Sequence, residues 1–147
     1  MSENEASVNE ANKSVALKFI TAMSTNDPVL GDECLAPDAV AIAKGHGRFS
    51  SARPREMMLG VMEAFNDILP TGLNLTVTQV TAGDGRVAVE CTGNGVASSG
   101  AAYRNEYCFV MSLRGGRIFQ VNEYFCTKHA DEVLWPVFEA AGVEAAK

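Results

Sequence analysis

The chain has no run of basic residues. Its 12 Lys and Arg are scattered among 18 Asp and Glu, for a net charge of −6. A nucleic-acid binder needs a basic stripe to neutralise phosphates, so that class is excluded. The acidic excess by itself is a solubility feature. No apolar stretch approaches the roughly 18 residues of a membrane span. The opening MSENEASVNEANKS is polar and acidic, unlike a signal or transit peptide. These absences predict a cytoplasmic protein with no membrane partner. The four cysteines (Cys34, Cys91, Cys108, Cys126) form no CxxC pair, and neither histidine stands at zinc spacing from them. Three of the four lie in strand-like runs, where free Cys behaves as a small buried hydrophobe. A reduced protein with no metal and no cofactor is the simplest reading, with disulfides between neighbouring strands as the alternative. No Ser/His/Asp or Cys/His constellation occurs at recognisable spacing. Gly83-Asp84-Gly85 and Gly93-Asn94-Gly95 are turn glycines rather than a phosphate loop, because no helix follows them.

What is present is a long hairpin. Tyr103 to Phe125, YRNEYCFVMSLRGGRIFQVNEYF, reads as two strands rich in aromatic and β-branched residues around the Arg114-Gly115-Gly116 turn. Side chains two apart in a strand point the same way. Asn105 and Tyr107 therefore share a face of the first arm, and Val121, Glu123 and Phe125 share a face of the second. If both faces look inward, an amide, a phenol and a carboxylate meet in an apolar cavity.

At 147 residues the chain fits one domain. Residues 1–12 are too polar for a core and are expected as a disordered tail, with a single domain over 13–147. Helical spacing starts near Ser14 and runs through Val15, Phe19 and Met23 to about Asn26. Asp27-Pro28 caps a short second helix, closed by Pro37. Ala39–Ala43 is a short strand. Ser50 or Ser51 is expected to cap a third helix, with Pro54 in its first turn, running through Met57, Met58 and Met62 to about Leu69. The period then changes to that of strands, over Leu73–Ala82, Arg86–Val96 and the hairpin. Thr127 is expected to cap a last helix that Trp135-Pro136 breaks. Helices followed by a run of strands predict an α+β fold.

This order of elements, together with Tyr103-Arg104-Asn105-Glu106-Tyr107, Arg114-Gly115-Gly116-Arg117-Ile118 and Asn122-Glu123-Tyr124-Phe125, resembles the NTF2-like superfamily, nearest its SnoaL-like and ketosteroid-isomerase-related branch. The resemblance covers about residues 14 to 135. It implies a cone-shaped, cystatin-like α+β barrel, with a curved antiparallel sheet wrapped on helices around an apolar pocket, and a homodimer. It does not fix function, because the fold carries isomerases, hydrolases, cyclases, dehydratases and non-enzymatic binders. The catalytic groups of the isomerases do not carry over: Phe19, Ala43 and Cys108 or Phe109 stand where their Tyr and two acids would be. Those of the epoxide hydrolases also fail, with Cys91 and Gly93 in place of Arg-x-Asp and Ala41 and Ala43 in place of the Tyr and Asn.

One position survives. SnoaL-type cyclases and the epoxide hydrolases place a catalytic Asp on the last strand, and Glu123 stands there. A Glu between Val121 and Phe125 on an apolar face would be partly desolvated, which suits a carboxyl to general acid–base work. The competing account is that its face is solvent or a dimer contact, or that a buried Arg neutralises it. Asn105 and Tyr107 would orient a ligand carbonyl or hydroxyl, or else satisfy Glu123 and each other within the core. Phe19, Met62, Val121, Phe125 and Cys91 would complete the ligand wall. His46, between two glycines, lies in a loop that would reach at most the pocket mouth. The sequence reading is thus a pocket for a small hydrophobic molecule carrying a polar group. On that reading Glu123 serves an isomerase, cyclase or dehydratase; the rivals are a non-catalytic carrier or sensor, and a dimerisation module with a vestigial pocket.

Overall fold

The Gly115-Gly116 turn organises the sheet as its composition predicts. Both glycines take positive φ, 59° and 76°, the geometry of a two-residue hairpin loop whose twist matches its strands. They join β5 (Ala102–Arg114) to β6 (Arg117–Phe125). Asp84 and Gly85 do the same between β3 (Thr76–Gly83) and β4 (Arg86–Val96). A computed structural model of the chain describes residues 1–142; residues 143–147, the end of the expected domain, lie outside the described residues.

Strands β1 (Leu35–Ala43) and β2 (Ser51–Pro54) complete a six-stranded sheet in the order β2-β1-β6-β5-β4-β3. Neighbours pair antiparallel except β1 and β6, which run parallel in the register Ala41 to Val121 and Ala43 to Glu123. The expected curved antiparallel sheet is thus present, with this one parallel seam. Irregularities in the β1–β6, β3–β4 and β5–β6 pairings bend the sheet. Helices α1 (Glu3–Ser24) and α3 (Arg55–Ile68) pack against it, and α2 (Pro28–Cys34) bridges the two, capped by Asp27 as anticipated. At the other end α4 (Thr127–Val133) and α5 (Trp135–Ala140) break at Leu134, before Pro136. No helix among the described residues is long and apolar enough to cross a membrane.

Five boundaries differ from the sequence reading, the simplest being β3, which starts at Thr76 rather than Leu73. Helix α1 begins at Glu3, not near Ser14, so residues 3–12 are helical rather than a disordered tail. Ser2 caps the first turn by accepting from the Glu5 N–H, and Glu3 and Glu5 sit favourably at the positive end of the helix dipole. Strand β1 starts at Leu35, and a register shift before Val40 accommodates Pro37 within it. Ser51–Pro54 is strand β2 rather than the first turn of α3; it pairs with β1 from Val40–Pro54 to Ala43–Ser51. Cys126, not Thr127, is the cap residue of α4.

The inward face of the sheet is divided along its length. Val87, Val89, Met111, Ile118 and Val121 are fully buried in one cluster with Phe19 and Met62. Tyr103, Phe49, Leu134 and Phe138 form a second cluster beneath α4 and α5. Tyr107 packs against both. The first cluster is the filled end of the fold and the region between the two is hollow. Two glycines test this packing. Gly60 lies on the exposed face of α3, where an added methyl would meet nothing within 4 Å, whereas a methyl on Gly95 would come 2.6 Å from the Gly72 carbonyl oxygen. Gly60→Ala should stabilise the fold by about 0.5–1 kcal/mol, and Gly95→Ala should destabilise it by about 1–3 kcal/mol, both read by urea denaturation.

Candidate functional site

The hollow region is a cavity of about 130 Å³, roomy enough for a molecule on the order of a single six-membered ring. Its wall on the helix side is apolar, from Phe19 and Met23 of α1 to Met58, Met62 and Phe65 of α3, apart from Asn26 just beyond α1. The sheet side carries its polar groups: Tyr103, Tyr107, Glu123 and Arg53.

Glu123 faces inward, as strand alternation predicts, but it is not alone. Its Oε1 accepts from Nη2 of Arg53 at 2.5 Å, and the two side chains are only 15% and 9% exposed. Arg53 also donates from Nη1 to the Phe49 carbonyl at 3.5 Å. No other hydrogen bond reaches the Glu123 carboxylate among the described residues, so Oε2 is unengaged by protein.

The register explains how an edge-strand Arg reaches a strand two places away. Arg53 pairs with Ala41 of β1, and Glu123 pairs with Ala43 of the same strand. Two strand spacings are roughly 10 Å, and only small side chains between them let the guanidinium arch across. Ala41 and Ala43, where the resemblance would have put catalytic groups, instead make the lane for this pair.

Asn105 has a different role from the one expected. It is buried, but it does not line the cavity. Its Oδ1 accepts from the backbone N–H groups of Glu106 and Cys126, and its Nδ2 donates to the Cys126 carbonyl and to the Tyr103 hydroxyl. It therefore ties the end of β6 to β5 and holds Tyr103, without touching Glu123. The Tyr103 and Tyr107 hydroxyl oxygens lie 2.7 Å apart. Burial raises the pKa of both phenols, that of Tyr107 well above the ordinary value. Both are neutral hydrogen-bonding groups across the physiological range.

Of the other expected wall residues, Phe19, Met62, Tyr107 and Phe125 line the cavity, and Val121 and Cys91 do not. Those two lie in the filled end, where burial pushes the Cys91 thiol up to about 11. His46 is exposed on its loop. His129 stacks on Tyr103 with ring centroids 5.5 Å apart and planes 5° from parallel. Three polar lining residues, Tyr103, Arg53 and Asn26, were missed. Tyr103 was open to discovery, since it stands two before Asn105 on the same strand face. Arg53 carried no such signal, because a four-residue strand has no period to read.

Residues 16–121 match the SnoaL-like domain family. The chain is a member of the SnoaL-like family. Among solved structures, it is similar to Bal32a from a soil-derived mobile gene cassette, with a TM-score of 0.76 at 18% identity over 86% of this chain and 98% of that one. An NTF2-like protein from Anabaena variabilis ATCC 29413 superposes with a TM-score of 0.72 at 19% identity, covering 86% of this chain and 94% of that one. An LEH-like epoxide hydrolase from M. tuberculosis gives 0.68 at 18% identity, covering 92% and 97%. At these identities the likeness concerns the fold alone. No curated protein matches the sequence.

The Arg53–Glu123 pair of this SnoaL-like protein makes a definite energetic claim. Breaking a buried pair from one side strands the other charge, whereas replacing both by apolar groups removes the penalty. Arg53→Met and Glu123→Leu should each cost about 3 kcal/mol, and the double variant less than either alone, as measured by chemical denaturation in a double-mutant cycle. Additive losses would show that the two side chains do not interact.

Proposed function

We propose that this protein binds a small, mainly apolar molecule bearing a polar group in the cavity between the hairpin and helices α1 and α3. One observation carries the reading: the cavity wall is mainly apolar, and of its five polar lining residues four, Arg53, Glu123, Tyr103 and Tyr107, converge on the sheet side, while the fifth, Asn26, has its amide nitrogen bonded to the Phe65 and Leu69 carbonyls. A few convergent polar groups on an apolar wall are how small-molecule sites fix orientation. The two charges on the wall are opposite and paired, which favours a neutral ligand over an ionic one.

A second reading has its own support. Because Arg53 engages only one Glu123 oxygen, the other is free to exchange a proton with a bound molecule. In that case the protein is an enzyme of the proton-transfer kind, performing isomerisation, cyclisation or dehydration with Glu123 as acid or base. Tyr107 would orient the reacting group. Epoxide hydrolysis of the kind named for the mycobacterial neighbour is not proposed, since Cys91 and Gly93 replace the Arg-x-Asp pair that the resemblance would require.

The two readings part on one experiment. A library of neutral one-ring compounds is screened by thermal shift, and hits are incubated with protein and analysed for product. A bound ligand at a hundred times its Kd should stabilise the fold by about 2.7 kcal/mol. With a turned-over hit, Glu123→Gln should abolish product formation while affinity stays within a few-fold. Stabilisation without product supports the carrier or sensor. Full activity in Glu123→Gln would remove Glu123 from the chemistry, and a library with no stabilising member would contradict ligand binding itself.

A further inference from the structure

The hydrogen-bond network behind the cavity has one more hydrogen than it has protein acceptors. The Asn105 amide has a fixed orientation, because its Oδ1 accepts from two backbone N–H groups. Its Nδ2 must then be the donor to the Tyr103 oxygen at 2.8 Å. Between the two phenols, 2.7 Å apart, only one O–H can donate to the other. If Tyr103 donates, the Tyr107 hydrogen is left over; if Tyr107 donates, the Tyr103 hydrogen is. Neither hydroxyl reaches any other protein acceptor among the described residues. The count is the same in both directions, so it does not depend on where the hydrogens are placed. Tyr103 and Tyr107 both line the cavity. In either direction the surplus hydrogen belongs to a phenol of the cavity wall, at the end of a chain that starts from the Asn105 amide. Each bond in such a chain polarises the next.

We propose that the paired phenols of Tyr103 and Tyr107 form a hydrogen-bond-donor subsite that selects a ligand carrying a neutral acceptor oxygen, of the carbonyl or ether class. The proposal rests on the reading of the cavity as a ligand site and adds its polarity. An unmet donor in an apolar cavity is costly, so a ligand that offers only apolar surface there leaves that cost in place. Glu123 and Arg53 contribute an acceptor and a donor of their own, and Gly93 leaves space for the phenol: a methyl there would lie 3.0 Å from Tyr107 Cε2. The subsite is built by residues at the open end of β5 and the backbone of Cys126, and owes nothing to the positions that the isomerase resemblance would have used.

The test uses cyclohexanone and methylenecyclohexane, two single-ring probes of nearly one shape that differ in having or lacking the acceptor. Their affinities are measured by calorimetry or ligand-observed NMR on the full chain and on the Tyr103→Phe/Tyr107→Phe double variant. Each single variant keeps one surplus hydroxyl hydrogen, so only the double variant removes both phenol donors from the cavity wall; the Asn105 amide hydrogen that then loses Tyr103 Oη belongs to a residue outside the cavity lining. The ratio of ketone to alkene affinity should fall by roughly tenfold in the double variant. An unchanged ratio would overturn the donor subsite while leaving the cavity reading intact. Failure of both probes to bind the wild-type protein at millimolar concentration would overturn the two together. Should the double variant not fold, the infrared carbonyl band of 13C-labelled cyclohexanone in the wild-type complex decides: a shift to lower frequency than in an inert solvent is expected, and an unshifted band contradicts the proposal.

Discussion

The candidate site depends on a charge pair that spans three strands. Arg53 comes from β2, the edge of the sheet, and meets Glu123 on β6 across the alanines of β1. Taking either charge out of water alone would be costly, so each is tolerated where it is because of the other. The pair therefore fixes the place of the short edge strand and the direction of the Glu123 carboxylate at once. It also sets the electrostatic character of the cavity. An unpaired Glu123 would offer a bare anion to any ligand; paired, it offers one free oxygen within a neutral site. Ala41 and Ala43 are part of this arrangement, because a larger side chain at either would fill the lane that the guanidinium crosses.

A second constraint works through the backbone. The Asn105 side chain closes a four-bond clamp on Glu106, Cys126 and Tyr103, where β6 gives way to α4. The same amide that ends the hairpin thus orders the phenol pair. His129, in the first turns of α4, packs flat on the Tyr103 ring from the other side. Structure at the hairpin end and polarity in the cavity are one network, and the cavity groups are held by residues that never touch its contents.

Much of this was legible in the sequence where a period or a turn residue carried it. Two glycines marked the hairpin loop, alternation placed Tyr107, Glu123 and Phe125 inward, and helical spacing placed Phe19 and Met62 on the cavity side. Alternation says which face a side chain takes, but not how far along the sheet it lies. Cys91 and Val121 face inward yet belong to the filled end, because the cavity occupies only part of the concave surface. Asn105 also faces inward, but a short amide beside unpaired backbone groups bonds to those first. Arg53 was invisible for a further reason. A strand of four residues forms only because β1 is already there to pair with it, so its partner, and hence the neutralisation of Glu123, is a tertiary fact. The helical start at Glu3 was hidden by composition: those residues are polar because they are exposed, and a capping serine with early acidic residues suffices to extend α1 over them.

The central claim is that the hairpin's open end and the helices enclose a ligand site whose polar wall is Arg53, Glu123 and the two phenols. A crystal structure of the protein grown with a one-ring ketone tests it most directly. The account predicts density in this cavity, with the ligand oxygen within hydrogen-bonding distance of the Tyr103 or Tyr107 hydroxyl and the Arg53–Glu123 pair intact beside it. A cavity closed by its own side chains, or a ligand bound elsewhere with Glu123 turned to the outer face of the sheet, would contradict it.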